Sequence, residues 1–159
     1  MGRSCAGCRN GAESCDARLV RTAYPYVTTQ YATTQTDYRP SAAARPARWA
    51  ADTVATMREG ARLRLDYSTQ SLWRVDRVIE EIRRDHPPYE AVARVLRGFG
   101  AYTGEVIARE TGAEWCATAD THWLRTPDGR IWDPVSEARR AFTGEGSLRG
   151  LCREATGVY

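Results

Sequence analysis

The sequence predicts an α+β fold: three N-terminal helices packed on a small antiparallel sheet that contains a Pro-Asp-Gly hairpin, followed by short C-terminal helices. Three observations predict it. From Trp49 to Val106, apolar residues recur at three- and four-residue steps, the period of a helix with one buried face. The run His122-Trp123-Leu124-Arg125-Thr126, Pro127-Asp128-Gly129, Arg130-Ile131-Trp132 spells two short arms joined by turn residues. Beyond it, Asp133-Pro134 and Ser147 stand where helices open, each ahead of a short apolar-spaced segment.

Each element can be justified in order. In RWAADTVATMREGA, Trp49, Val54 (or Thr53) and Met57 share one helical face, and Gly60 is the stop. Leu63 and Leu65 alternate with arginines in a short extended entry, after which Asp66 or Ser68 caps the second helix. That helix carries Leu72, Val75, Val78, Ile79 and Ile82 on one side and Arg74, Asp76, Arg77, Glu80, Glu81, Arg83 and Arg84 mainly on others. His86-Pro87-Pro88 ends it and opens the third, with Pro88 suited to a first helical position.

The third helix holds Val92, Val95, Leu96, Phe99, Thr103 and Val106 on one stripe, interrupted by Gly98, Gly100 and Gly104. Glycine costs a helix interior about 1 kcal/mol relative to alanine. A sequence that accepts this three times predicts a helix or sheet lying almost on the backbone. A phosphate loop is the competing reading, but no strand precedes these glycines and their G-x-G-x3-G spacing misses the dinucleotide fingerprint. Gly112 predicts a left-handed cap, Ala113 to Cys116 an extended segment, and Gly144-Glu145-Gly146 a turn before the last helix, which carries Leu148 and Leu151.

Composition narrows the classes. The chain has 159 residues, enough for one domain with a real core. No apolar stretch approaches a membrane span, and no signal-like run opens the chain, so a cytoplasmic protein is expected. All 23 basic residues are arginine, which suits phosphate recognition but equally reflects a GC-rich coding sequence. Charge position decides between them. Residues 1–50 hold seven Arg against Glu13, Asp16 and Asp37, whereas 51–159 hold sixteen Arg against seventeen acids. The folded part has no basic surplus to draw it to nucleic acid.

Residues 1–40 differ in kind. Tyr24 to Tyr38 reads YPYVTTQYATTQTDY, which lacks the apolar content to offset chain entropy. A disordered or loosely extended Cys/Thr/Gln-rich tail is expected there, with a single α+β domain over 41–159. Cys5, Cys8 and Cys15 form a C-x2-C followed by x6-C. Two thiolates on one turn can hold zinc, but a closed site needs a fourth ligand, and none lies nearby. Unpaired thiols in a tail are the expectation, and no cofactor is.

Four further features invite chemistry. Glu105 follows Gly104 on a face of small residues; buried there, it needs a partner or a proton. It is either a general acid or base, or half of a structural ion pair with an arginine, and the structural pair ranks first. His122, with Asp120 and Asp133 to orient it, could serve as a base, the nucleophile then coming from Cys116 or Ser136. Trp115, Trp123 and Trp132 cluster around the sheet, as a ligand platform or as a small core. Trp123, Arg125, Arg130 and Trp132 together offer a binding face on the hairpin.

Four segments also carry a resemblance: Leu65-Asp66-Tyr67-Ser68 with Ser71-Leu72-x-x-Val75-Asp76, Gly100-Ala101-Tyr102-x-Gly104-Glu105-Val106, Gly112-Ala113-x-Trp115, and Pro127-Asp128-Gly129-Arg130-x-x-Asp133-Pro134. The chain resembles, over about residues 45–155, an uncharacterised family of small actinobacterial proteins. The resemblance implies the same helix-then-hairpin fold and carries no activity, cofactor or catalytic residue with it. The N-terminal cysteines lie outside it.

Three functions follow in rank. A non-enzymatic protein-interaction module of immunity or accessory type comes first, with another protein as partner. A small enzyme or ligand binder using Glu105 with His122 and Cys116 comes second. A zinc or redox site at Cys5, Cys8 and Cys15 comes third.

Overall fold

Eleven of the 23 residues of one helix, Tyr89–Thr111, are buried, so this helix is enclosed on most sides and the other elements are arranged around it. A computed structural model describes residues 45–157 with the exception of residue 120. The order is α1 (Arg45–Gly60), a 3-10 turn (Thr69–Ser71), α2 (Leu72–Arg84), α3 (Tyr89–Thr111), β1 (Glu114–Thr118), β2 (Thr121–Arg125), β3 (Ile131–Trp132), α4 (Pro134–Thr143) and α5 (Leu148–Thr156). The protein is thus mixed α and β, with one three-stranded antiparallel sheet in the order β1-β2-β3. The sheet is not the platform for the helices. Helix α3 is, packing against α1, α4 and α5 and touching β2.

The three α3 glycines each admit a different neighbour. A Cβ on Gly98 would stand 2.1 Å from Thr53 Oγ1 of α1. On Gly100 it would stand 2.5 Å from the Val135 Cα and 2.6 Å from the Pro134 carbonyl of α4. On Gly104 it would stand 2.2 Å from the Trp115 ring of β1. Close approach is therefore what these glycines provide, and it is to helices and to the sheet alike.

Capping follows the side chains. Ser68 accepts from the Ser71 amide and starts the 3-10 turn that leads into α2. Pro88 sits just outside α3 as its extended N-cap rather than as its first residue, because a ψ of 144° leaves its carbonyl to begin the ladder. Gly112, Gly144 and Gly157 close α3, α4 and α5 in the left-handed conformation. Asp133 accepts from the Ser136 amide at 2.8 Å and opens α4. The start of α5 is held from a distance: Asp76 of α2 accepts from Ser147 Oγ at 2.7 Å and from the Leu148 and Arg149 amides at 2.8 and 3.1 Å. A carboxylate at a helix N-terminus meets both unpaired amides and the positive end of the dipole.

The segment between α1 and α2 is pinned by a buried chain of hydroxyls. Tyr67 N–H donates to Tyr102 Oη at 2.8 Å. Tyr102 Oη lies 2.6 Å from Ser71 Oγ, and Ser71 Oγ spends its only proton on the Ser68 carbonyl at 2.6 Å. The tyrosine hydroxyl must therefore donate to Ser71, which fixes the direction of the whole chain. Burial raises the Tyr102 pKa, so the hydroxyl keeps that proton. Tyr67 holds a φ of 61°, a strain on the order of 1 kcal/mol or more. Its ring stacks on Tyr102 at 4.9 Å and carries the Arg109 guanidinium 3.6 Å above it.

Candidate functional site

Strand register decides which sequence candidates meet. Directly paired residues of an antiparallel sheet project to the same side. Trp115 pairs with Leu124, Leu124 with Trp132, and Ala117 with His122, so these five share the side on which Leu124 joins the core. Cys116 pairs with Trp123 and both project from the other side. Cys116 and His122, the expected nucleophile and base, thus stand on opposite faces of one sheet. The Cys116 sulfur is also engaged in a disulfide. Trp123 and Trp132 are likewise split between the two faces, so the hairpin does not present them together.

The remaining candidates have structural occupations. Glu105 Oε1 accepts from Trp115 Nε1 at 2.9 Å. Its partner is an indole rather than an arginine, because Gly104 leaves room for the Trp115 ring and Glu105, one residue on, meets its N–H. His122 is buried and makes a T-shaped contact with the Trp49 ring, at 4.9 Å and 71°. Arg130 pairs with Asp128 at 2.6 Å and lies over the Trp132 ring. Hydrogen bonds from Thr126 and from Arg130 pull the Asp128 carboxyl down to about 2, making the hairpin turn a self-contained polar knot. Arg125 stands between Glu114 and Ile131 in the sheet. Cys5, Cys8, Cys15 and Asp120 lie outside the described residues. Among the described residues, no three His, Cys, Asp or Glu side chains gather as metal ligands, and no helix is long and apolar enough to cross a membrane.

Two concavities stand out among the described residues. The smaller, about 430 Å³, lies beside Cys152, Glu110, Arg149 and Arg153. Burial pushes the Cys152 thiol up to about 11, with Glu110 adding to the effect, so at neutral pH this sulfur is a protonated, weakly reactive wall. The larger is a groove of about 780 Å³ between α1 and α3. Helix α1 turns Pro46 and Ala50 to the core, and α3 does the same with Leu96 and Phe99. Their periodicity leaves Arg48 and Asp52 on one wall and Arg94 and Arg97 on the other, all exposed. Gly98 sets how closely the walls meet, since Thr53 occupies the space its side chain would take.

The groove has a particular chemistry. Trp49, Met57 and Val95 are partly buried and form its apolar floor. The Arg97 guanidinium lies 4.7 Å from the Trp49 ring centre, a cation–π contact that holds its charge in place. Arg48 and Arg94 have Asp52 and Glu90 one helical turn away. Even so, among the described residues the ion pairs are those of Arg77, Arg84, Arg130 and Arg140, and these groove arginines are not in them. Sequence reasoning placed Trp49 on one helical face with Val54 and Met57 and passed over Arg48, Arg94 and Arg97. Only Arg97 carried a signal, having no acid at 93, 94, 100 or 101. No protein-family model matches the chain, and no curated protein or solved structure does.

Proposed function

We propose that the domain is a non-enzymatic protein-interaction module whose docking surface is the α1–α3 groove. The observation that carries this reading is the Trp49 floor flanked by exposed Arg48, Arg94 and Arg97. An aromatic residue beside arginines is the composition that concentrates binding energy at protein interfaces. The occupations of Glu105 and Cys116 support it from the other direction, because neither side chain is left facing a common reaction centre.

The module fits an immunity or accessory role in the cytoplasm, working without a cofactor. We also group the chain, on its four motifs, with the small actinobacterial proteins it resembles; this adds no activity. Site-specific photocrosslinking tests the reading. A benzophenone side chain at exposed Thr56, in the groove, should capture a discrete partner in cells of the source organism. The same probe at Arg77 of α2 or Arg130 of the hairpin should not. Capture at Arg130 alone would move the docking surface to the hairpin, and capture at none of the three would end the reading.

A further inference from the structure

Resting on that docking surface, we infer that the groove accepts an acidic amphipathic helix of a partner protein. Its apolar side chains would lie on Met57, Val95 and the part of the half-buried Trp49 that Arg97 leaves open, and its carboxylates would reach Arg48 on one wall and Arg94 and Arg97 on the other. Three features select this occupant. First, the floor carries Trp49, Met57 and Val95 with Thr53 and Thr56 between them, while the walls are charged, the complement of a helix with one apolar stripe and polar flanks. Second, the distance fits. Trp49 to Met57 spans eight residues of α1, about 12 Å at 1.5 Å per residue, so two to three turns of a guest helix would cover the floor. Third, guanidinium forks on both walls match carboxylates in geometry as well as sign.

The same features argue against a nucleic acid. Asp52 sits among the groove arginines, where it would repel the unbroken phosphate track of a nucleic acid, whereas a helix can set an uncharged residue opposite it. Arg97 already lies over one face of the Trp49 ring and His122 packs against it in a T-shaped contact, which hinders the stacking that single-stranded binding sites use. A carboxylate-bearing helix needs no stacking. It replaces solvent around the arginines and leaves the Arg97–Trp49 contact intact.

The test uses the full chain and three fluorescein-labelled 14-residue peptides with Leu at positions 1, 4, 8 and 11. Their remaining positions are mainly Glu, mainly Gln or mainly Lys, and a labelled 14-nucleotide oligothymidine is the fourth probe. The Glu peptide should bind saturably, at least tenfold more tightly than the Gln peptide, with no measurable binding of the Lys peptide. Its affinity should fall at least tenfold in Arg94→Glu/Arg97→Glu and severalfold in Arg94→Glu alone, and should stay unchanged in Arg77→Glu. Raising the salt should weaken it, as screening requires. Equal binding of the Glu and Gln peptides, lost when Trp49 is replaced by Ala, would overturn the acidic specificity but leave the docking groove standing. Binding of the oligothymidine alone, or of no probe, would overturn the acidic helix and count against the groove. Circular dichroism of each variant separates lost binding from lost fold.

Discussion

Glu105, read from the sequence first as half of a structural pair with an arginine and second as an acid or base, has an indole as its partner. Its carboxylate receives the Trp115 indole N–H at 2.9 Å, and Gly104 beside it clears the space that the indole ring fills. The pair Gly104-Glu105 is thus a receptor for one side chain. Glu105→Gln keeps an acceptor oxygen and should change stability by less than about 1 kcal/mol. Glu105→Ala strands a partly buried donor and should cost about 1–3 kcal/mol. Urea denaturation followed by tryptophan fluorescence distinguishes them, and comparable losses in both variants would show that charge rather than acceptance matters.

At this scale the sequence was half legible. The Gly spacing announced close approach, and the need of Glu105 for a partner followed from burial. The identity of that partner did not, because Trp115 reaches Glu105 only after the chain has reversed at Gly112. Equally invisible was the separation of Cys116 from His122. It depends on register, and a shift of one residue would have put them on the same side.

At the scale of elements, one helix start is held by a group that the local sequence does not supply. Asp76 on α2 caps α5 across more than seventy residues with three hydrogen bonds. Asp76→Ala should lower stability by about 2 kcal/mol and, in hydrogen exchange, expose the first turn of α5 more than any other helix end. Uniform loss of protection across all helices would contradict a local cap. The sequence did place Ser147 as the cap of α5, and Ser147 Oγ does accept from the Gly150 amide. Asp76 read only as a solvated charge on an amphipathic helix.

The hairpin turn makes a pH-dependent contribution whose sign can be worked out. Folding lowers the Asp128 pKa from an ordinary value near 3.9 to about 2. A depressed acid stabilises the fold above its unfolded pKa and loses that contribution as pH falls through the folded one. The window is therefore about pH 4 down to 2. An NMR titration should place the Asp128 carboxyl midpoint near the lower end, with the Gly129 and Arg130 amides shifting in step. A midpoint near 4 would show that the Thr126 and Arg130 contacts do not persist in solution.

At the scale of the whole molecule, the organising element is α3, and its tolerance of change follows from what each neighbour can yield. Gly100 opposes backbone, the Val135 Cα and the Pro134 carbonyl, which cannot rotate away. Gly100→Ala should cost about 2–3 kcal/mol or more through overpacking. Gly60, at the end of α1, has nothing within 4 Å of its missing side chain, so Gly60→Ala should be neutral or stabilise by up to about 1 kcal/mol. Thermal unfolding of the two variants compares them directly. The periodicity that marked α1, α2 and α3 was legible because each buries a face. That α3 and not the sheet would be the centre was not, since a helix buried on most sides differs from an amphipathic one only in the small residues between its stripes.

The contact of Gly98 with Thr53 carries a consequence for how such a chain can drift. The two positions behave as one character with two letters. A side chain gained at 98 demands one lost at 53, because Thr53 Oγ1 stands 2.1 Å from where the new Cβ would be. Gly98→Ala alone should destabilise. Combined with Thr53→Ala it should recover most or all of the loss, helped by the roughly 1 kcal/mol advantage of alanine over glycine in a helix, and a double-mutant cycle should return a large coupling. Sequences that descend from a common ancestor with this one should therefore exchange bulk between positions 53 and 98 in concert, and the groove beside them should widen or narrow with each exchange.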